Sequence, residues 1–324
     1  MAVRVGVDTS PLVQTRAGTA RHVRGLLSAL RGRPDLDLEL LSFGGPGRAS
    51  SVTRDALWYP IALGRRARSL DVLHCTTFRG PAGADVPTVL TVHDLAILRA
   101  PEVFPRWHRL YGRFGLERVL RAADAIVAVS EFSRAETIEL AGVAAERIRV
   151  VPHGVDPVFT PDGPRAEGDY VLAVATLEPR KNLARAVDAA REAGVELRVV
   201  GARGWGGVDV EGWVGEIPDA ELAALYRGAR CALYPSLYEG FGLPVLEAMA
   251  CGTPVVTSLA TAMEEVAGGA AVLVDPLDVS AIAAGIDEAL RRRDELVPAG
   301  LARAHEFTWL RTADAVVELW SELA

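Results

Sequence analysis

The sequence YPSLYEGFGLPVLEAMACG, residues 234–252, contains the turn that decides the fold. A short apolar run ends at Tyr234, and a glycine-bearing loop follows it. Pro244 suits the first turn of a helix, and Gly252 suits the position just beyond a helix end. The pattern predicts a strand, a turn and a helix whose N-terminus presents unpaired backbone N–H groups, which is a favourable place for a phosphate.

Two glutamates stand eight positions apart in this stretch, Glu239 in the loop and Glu247 within the helix. Because a carboxylate repels phosphate, we expect both to accept hydrogen bonds from sugar hydroxyls instead. The alternative for Glu247 is an exposed surface charge. Its apolar neighbours Leu246, Ala248 and Met249 argue against that alternative.

A second strand-to-helix turn, TLEPRKN, occupies residues 176–182. Lys181 is the only lysine among the 35 basic residues, and Asn182 is the only asparagine. Arg180 offers a planar fork and Lys181 a compact point charge, so the pair suits a diphosphate. We expect Asn182 to cap the helix that follows. A solvated basic turn is the alternative.

Strand and helix patterns alternate along both halves of the chain. Strand-like runs in the first half cover residues 3–7, 38–43, 72–74, 88–92, 125–129 and 148–151, and helical patterns cover 19–31, 107–121 and 131–141. In the second half the strand-like runs are 170–175, 197–200, 232–234, 254–257 and 272–274, and the helical patterns are 183–193, 219–229, 244–250 and 279–293. The alternation predicts an α/β fold with a doubly wound parallel sheet in each half.

The domain boundary is predicted in residues 152–168, which are dense in proline and glycine. We therefore expect domains at 1–160 and 161–308, with a helix at 309–324 that returns to the first domain. Residues 1–160 carry a net charge of +5 and residues 161–324 a net charge of −12. Opposite charges favour two domains with an anionic ligand in a shared cleft, although drift in composition explains them equally well.

Composition excludes several classes of protein. With 50% hydrophobic and 24% charged residues, the chain is neither disordered nor fibrous. It has no apolar run long enough for a membrane span and opens as a strand without a leader pattern, so we expect a cytoplasmic protein. Three widely spaced cysteines without a Cys-x-x-Cys pair predict buried apolar side chains. An isoelectric point near 5.5 and the lack of a recognition motif argue against nucleic acid as a partner.

Polar residues also follow strands in the first half. His93 and Asp94 come directly after the run at 88–92, at the edge where a ligand is expected. A lone histidine at a strand end is ordinarily a satisfied polar residue. Gly18 opens the first long helix and permits close approach of a ligand to the backbone. Ser130 is either a ligand-facing residue or a plain helix cap.

These motifs resemble glycosyltransferase family 4. The resemblance rests on EPRKN at 178–182, the pair Glu239 and Glu247, HGVD at 153–156 and TVHD at 91–94, which keep the family's order over nearly the whole chain. It implies a GT-B fold, in which two Rossmann-like domains face a cleft: residues 1–160 bind the acceptor and residues 161–308 bind the nucleotide sugar. It also implies transfer with retention at the anomeric carbon. The linker and short first domain look most like bacterial mannosyltransferases, so GDP-mannose is the expected donor.

The resemblance implies roles for particular residues of this chain. Arg180 and Lys181 hold the donor diphosphate, and Glu247 holds the ribose hydroxyls. Glu239 contacts the donor sugar and, with His93 and Asp94, belongs to the catalytic group. Backbone groups complete the diphosphate site at Gly18, Phe241, Gly242 and Leu243. No metal or other cofactor is expected, and the one Asp-x-Asp sequence, residues 35–37, looks like a surface turn.

The expected mechanism follows from the charges. No carboxylate of the first domain is placed as a nucleophile, so we expect a front-side reaction in which Arg180 and Lys181 stabilise the leaving diphosphate. The alternatives are other chemistry on the same fold, as in a sugar-nucleotide epimerase or a glycosyl phosphorylase, and a nucleotide-sugar-binding protein without turnover.

The acceptor is expected to be a glycan, a lipid-linked sugar or a small molecule. The segment from Arg99 to Arg121 contains six arginines and two glutamates, with Trp107, Tyr111 and Phe114 at helical spacing. Such aromatics indicate core packing or, as the alternative, peripheral contact with anionic lipid on the inner face of the membrane.

Overall fold

A computed structural model describes residues 2–14, 18–45, 47–101 and 115–324. The chain divides into two compact units. Unit 1 comprises Met1–Gly154 and Trp309–Ala324, and unit 2 comprises Val155–Thr308. The division falls a few residues before the boundary drawn from the sequence. The aromatic residues at 107, 111 and 114 lie outside the described part of the chain.

Unit 1 is built on a six-stranded parallel sheet. Its strands are β1 (Val3–Asp8), β2 (Leu36–Leu41), β3 (Val72–Cys75), β4 (Thr88–Val92), β5 (Ala125–Ala128) and β6 (Ile148–Val150). They are ordered β2-β1-β3-β4-β5-β6. Strands β3, β4 and β5 are buried along their whole length, because helices cover both faces of a parallel sheet.

Helices flank this sheet. Their bounds are Pro11–Gln14, Gly18–Leu30, Arg48–Thr53, Leu63–Arg66, Ala96–Arg99, Glu117–Ala122, Glu131–Ala141 and Trp309–Leu323, and a π-helix spans Arg54–Ala62. The last helix packs on Gly18–Leu30 and buries Trp320 completely. A side chain at Gly25 would collide with the Trp309 ring, which explains the glycine. Ser130 caps its helix by accepting the Ser133 N–H at 2.9 Å.

Unit 2 repeats the plan with a second six-stranded parallel sheet. Its strands are β7 (Tyr170–Val174), β8 (Glu196–Val200), β9 (Trp213–Gly215), β10 (Ala232–Tyr234), β11 (Val255–Ser258) and β12 (Val272–Val274), in the order β12-β11-β10-β7-β8-β9. Its helices are Leu183–Glu192, Asp219–Gly228, Leu243–Ala250, Ala262–Ala267, Val279–Arg291 and Arg293–His305. The two sheets confirm the predicted fold class.

In unit 1 the helices within residues 11–14, 48–66 and 96–99 were not predicted from the sequence, and unit 2 differs from the prediction in three elements. Strand β9 was not expected, because its three residues lie in a glycine-rich segment without a β-branched run. The helix Ala262–Ala267 was not predicted, because it is only six residues long; Thr261 caps its N-terminus. The predicted helix at 279–293 ends at Arg291, and a separate helix begins at Arg293.

The strand orders define where each sheet binds ligands. Doubly wound sheets bind them outside the carboxyl ends of the strands, at the point where strand order reverses. In unit 1 this switch point lies between β1 and β3, and in unit 2 between β7 and β10. All three cysteines are buried and free, as predicted. Within the described ranges, no helix combines the length and apolar character needed to cross a bilayer.

Candidate functional site

The switch point of unit 2 brings the two predicted turns together. The turn after β7 contains Arg180 and Lys181, and the loop after β10 contains Glu239. A backbone hydrogen bond from the Leu237 N–H to the Arg180 carbonyl, 2.8 Å long, joins the two segments. Arg180 and Glu239 are 59 residues apart in sequence. They are neighbours because β7 and β10 are adjacent in the sheet.

Glu239 pairs with both cations of the turn. One carboxylate oxygen lies 3.2 Å from Arg180 Nη1, and the other is in contact with Lys181 Nζ. Arg180 also places its Nε 2.8 Å from Glu178 Oε2. Two cations and two carboxylates therefore form one network with no net charge, and all four side chains are largely buried.

The pKa shifts of these carboxyl groups follow from burial and from the cations. Burial alone would raise the pKa of Glu239, but Lys181 and Arg180 outweigh it and hold that pKa below its usual value. Glu178 is less well compensated, and burial raises its pKa despite the same two neighbours. Glu239 is consequently a carboxylate at neutral pH and can accept hydrogen bonds.

Asn182 does not cap the following helix, contrary to the prediction. Its backbone is left-handed, with φ 58°, and its side chain makes no capping bond. Instead its amide donates to the carbonyl oxygens of Pro235 and Pro276, at 2.8 and 2.7 Å, and its side-chain oxygen accepts from Arg185 at 2.9 Å. Asparagine tolerates the left-handed region and carries an amide, so one residue both turns the chain and holds the loop after β10.

The helix Leu243–Ala250 begins as predicted, with its N-terminus at the same edge of the sheet. Gly242 has φ 116°, and a side chain there would press on Met263. The first turn has no side-chain cap, Pro244 has no N–H, and the Val245 N–H donates to the Gly242 carbonyl at 3.0 Å. Among the described residues, the N–H groups that this helix start leaves for an anion are those of Gly242 and Leu243. Phe241 turns its ring inward, where it packs edge-on against Phe307.

Glu247 is not a surface charge. Its side chain is 2% exposed, and Oε2 accepts the Tyr226 hydroxyl at 3.1 Å. Tyr226 in turn accepts from the Tyr234 hydroxyl at 3.0 Å. This chain of hydroxyls fixes the position of the carboxylate. Tyr226 carries no local sequence signal for this role, because its contact with Glu247 forms only in the folded unit.

In unit 1, His93 belongs to a cluster of three histidine rings. His93 Nε2 lies 2.9 Å from the Thr76 carbonyl, and His93 Nδ1 lies 3.3 Å from His153 Nε2. His153 Nδ1 lies 3.0 Å from His22 Nδ1. Burial lowers the pKa of all three rings. The sequence alone did not indicate that His22 and His153 belong to this cluster.

The tautomers of the neutral cluster follow from the carbonyl. A carbonyl only accepts, so His93 Nε2 carries the proton and His93 Nδ1 accepts from His153 Nε2. His153 Nδ1 then accepts from His22. Both ring nitrogens of His93 are engaged within unit 1. Asp94 accepts the Ala96 N–H at 3.1 Å and opens a short helix, and Gly18 is the exposed first residue of its helix.

Comparisons with known proteins agree with this architecture. The family description "Glycosyltransferase Family 4" matches residues 16–159, and "Glycosyl transferases group 1" matches residues 159–299. Two Rossmann-like units that match these two family descriptions identify a glycosyltransferase with the GT-B fold. The chain belongs to glycosyltransferase family 4.

Its relatives include mannosyltransferases. The chain is 34% identical to O-antigen chain mannosyltransferase B of Escherichia coli, over 94% of this chain and 84% of that protein. It is 33% identical to the MMP alpha-(1->4)-mannosyltransferase of Mycolicibacterium hassiacum, over 81% and 72%. Among solved structures, sucrose-phosphate synthase from Thermosynechococcus elongatus has a TM-score of 0.76 at 19% identity, over 99% of both chains, which shows a shared fold.

Proposed function

We propose that this glycosyltransferase transfers mannose from GDP-mannose to an acceptor hydroxyl, with retention of configuration and without a metal. The observation that carries the proposal is the network of Arg180, Lys181 and Glu239 at the switch point of unit 2. Two relatives that cover most of this chain are named mannosyltransferases, which supports mannose as the sugar.

Roles for the donor are assigned by the chemistry of each group. Arg180 and Lys181 neutralise the diphosphate, together with backbone N–H groups at the start of the helix Leu243–Ala250. Glu247, held by Tyr226, accepts hydrogen bonds from the ribose hydroxyls. Glu239 accepts hydrogen bonds from the hydroxyls of the sugar.

We propose that the diphosphate replaces Glu239 as the partner of the two cations. In the structure both cations are paired with Glu239, so the diphosphate has to compete with that carboxylate. Once Arg180 and Lys181 turn to the phosphates, the carboxylate of Glu239 is released to accept sugar hydroxyls. Arg180 and Lys181 then stabilise the negative charge that builds on the leaving diphosphate.

The proposed reaction takes place on one face of the sugar. The bond from the anomeric carbon to the diphosphate oxygen breaks, the acceptor oxygen bonds to the same face, and a phosphate oxygen takes the acceptor proton. His93 and Asp94 lie at the carboxyl end of β4, the edge at which such sheets bind ligands. Contact between the His93 ring and the sugar requires the ring to give up one of its two present partners.

Calorimetric titration with GDP and with UDP tests the donor. We expect GDP to bind more tightly than UDP, and Lys181→Ala to weaken GDP binding about tenfold, which is about 1.4 kcal/mol. Arg191→Ala is the matched control, since Arg191 is an exposed cation on the helix that follows the same turn. A preference for UDP overturns GDP-mannose as the donor. Binding to Lys181→Ala with unchanged affinity overturns the diphosphate site.

The remaining parts of the proposal have separate readouts. Proton NMR of the product gives the anomeric configuration, and an inverted product overturns front-side transfer. Transfer activity that persists in EDTA supports a metal-independent reaction, and loss of activity in EDTA contradicts metal independence. Cosedimentation with anionic vesicles tests the alternative of peripheral membrane contact through residues 99–121, and a protein that stays in the supernatant at low salt contradicts that alternative.

A further inference from the structure

The three clustered histidine rings of unit 1 lie at different depths. His93 follows β4 and is half-buried, whereas His22 and His153 are only 1% and 3% exposed. His22 lies in the helix Gly18–Leu30, and His153 follows β6. Two buried rings therefore lie behind the one that reaches the surface of unit 1. We call the three residues the histidine cluster.

The helix at the end of the chain fixes the two buried rings. The centroid of the Trp309 ring lies 5.9 Å from that of His22 and 6.0 Å from that of His153. The Thr312 hydroxyl donates to the Pro152 carbonyl at 2.8 Å, which holds the backbone directly before His153. The buried rings are therefore packed from behind, and their ring nitrogens face each other and His93.

The hydrogen bonds of the histidine cluster run in one direction. The Thr76 carbonyl places the proton of His93 on Nε2, so His93 Nδ1 accepts from His153 Nε2. His153 Nδ1 then accepts from His22 Nδ1. A proton added to Nδ1 of His93 or of His153 would oppose the donor that this atom now faces. The direction of the bonds thus fixes one tautomer for each ring.

The remaining nitrogen of His22 is a cost to the fold. His22 Nε2 is a buried acceptor and has no hydrogen-bond partner in the described part of the chain. A buried polar atom without a partner is destabilising, and an apolar side chain of similar size would avoid that cost. Stability alone therefore does not explain a histidine at this position. What His22 provides is the Nδ1–H that fixes the tautomer of His153.

The same bonds decide which partner His93 releases when it contacts a ligand. If the ring left His153, the buried Nε2–H of His153 would lose its acceptor. If the ring left Thr76 instead, a carbonyl would lose a donor. Buried N–H groups without a partner are rarer in proteins than carbonyl groups without one. We therefore expect the bond from His153 to persist, so that His93 offers its Nε2–H to the ligand as a hydrogen-bond donor.

We propose that His22 and His153 are positioning residues for His93 in the transfer reaction. His153 holds the His93 ring with its proton on Nε2, and His22 holds His153 in the tautomer that does so. This inference rests on the proposed function, in which His93 contacts the sugar. The competing interpretation is that the two buried rings only fill space in the core of unit 1.

The bond from His153 also affects the pKa of His93, which gives the proposal a direct readout. Burial lowers the pKa of His93, and the Thr76 carbonyl and the Asp94 carboxylate partly oppose this effect. A hydrogen bond donated to Nδ1 stabilises the neutral ring, because the protonated ring cannot accept it. Loss of that bond is therefore expected to raise the pKa of His93, and loss of a side chain that merely fills space is not.

NMR titration of the histidine rings in the full chain tests the proposal without substrate. His153→Met removes the donor, whereas His153→Gln keeps an amide N–H at the position of Nε2. We expect the pKa of His93 to rise in His153→Met and to stay at its wild-type value in His153→Gln. His74→Gln is the matched control, since His74 is equally buried in unit 1 but is bonded to Thr91 at 2.8 Å. This control should leave the pKa of His93 unchanged.

Transfer kinetics test the consequence for the reaction. His153→Met should lower kcat about tenfold, the effect of one lost hydrogen bond. The donor KM and the affinity for GDP should change less than about twofold, because the proposed donor residues lie in unit 2. His153→Gln should restore kcat to within about threefold of the wild type. Circular dichroism establishes that the variants are folded.

A second pair of variants keeps the test independent of the folding of His153→Met. His22→Leu removes the donor to His153, and His22→Asn keeps an N–H at the position of Nδ1. We expect kcat to fall about threefold to tenfold in the leucine variant and to stay near the wild-type value in the asparagine variant. Equal kcat values in these two variants overturn the role of His22.

The proposal as a whole is overturned by either of two results. One is a folded His153→Met that keeps the wild-type kcat or the wild-type pKa of His93. The other is a His153→Gln that is as impaired as His153→Met, which indicates a space-filling role. The NMR titration needs neither donor nor acceptor, and GDP titration reports on unit 2. Failure of this inference and failure of the proposed function are therefore distinguishable.

Discussion

Lowering the pH from 7.5 to 5.5 should destabilise unit 1 selectively, because its buried histidines resist protonation. His22, His74 and His153 are at most 3% exposed. Burial lowers the pKa of His74 to about 3 and the pKa values of His22 and His153 well below the usual 6.5. In the unfolded chain all three take up a proton near pH 6.5, whereas in the native unit they do not. Their contribution is therefore fully present above pH 6.5 and lost as the pH falls.

The magnitude follows from linkage. Protonation of one histidine with a pKa of 6.5 stabilises the unfolded state by about 1.4 kcal/mol when the pH falls from 7.5 to 5.5. Three such histidines therefore lower the free energy of unfolding of unit 1 by about 4 kcal/mol. Asp8 acts in the opposite direction. Its pKa is raised to about 6 in the native state, so protonation there returns about 0.8 kcal/mol over the same interval. The expected net loss for unit 1 is about 3 kcal/mol.

Hydrogen exchange measured by mass spectrometry resolves the two units. Protection factors, corrected for the intrinsic pH dependence of exchange, should fall about 100-fold in β3 and β4. They should fall much less in β10 and β11, because the one histidine of unit 2, His305, is exposed. In His74→Gln the fall in protection factors should be about tenfold smaller, whereas His305→Gln should leave it unchanged. Equal losses in both units, or a loss below tenfold in unit 1, would refute the reasoning.

Two further predictions concern the donor site. Glu239→Gln removes the carboxylate that competes with the diphosphate, so GDP should bind about fivefold more tightly by calorimetry while transfer falls about 10²–10³-fold; weaker GDP binding would contradict the proposed replacement. Asn182→Ala and Asn182→Gly both lose the bonds to the Pro235 and Pro276 carbonyls, but only alanine resists the left-handed backbone. In urea denaturation the alanine variant should be about 1 kcal/mol less stable than the glycine variant, and equal stability would show that the backbone is not strained.

The sequence was sufficient for the features that depend on local pattern. Alternating strand and helix patterns predicted both sheets, and the turn chemistry around Gly242 and Gly252 predicted the helix Leu243–Ala250. Side chains placed at strand ends, such as Arg180 and Glu239, meet because parallel strands share one carboxyl edge. For these residues the rule about strand ends carries three-dimensional information without a structure.

Pairings across long sequence separations were not predictable in this way. Asn182 looks like a helix cap in sequence, yet its amide is used by carbonyls of two distant loops. His22 meets His153 over 131 residues, and no local pattern distinguishes either ring from a surface histidine. The buried polar atoms around Asp8 that lack hydrogen-bond partners could not be predicted from the sequence, because the lack of a partner depends on the folded structure.

The discontinuity of unit 1 has a consequence for synthesis on the ribosome. Unit 2 is continuous, so it has every residue it needs once Thr308 has emerged from the exit tunnel. Unit 1 begins first but waits for Trp309–Leu323, whose Trp320 fills a fully buried position beside β1. Until then its sheet has an uncovered apolar face. The domain translated first is thus the one completed last, and a chaperone that shields nascent chains would find its substrate there.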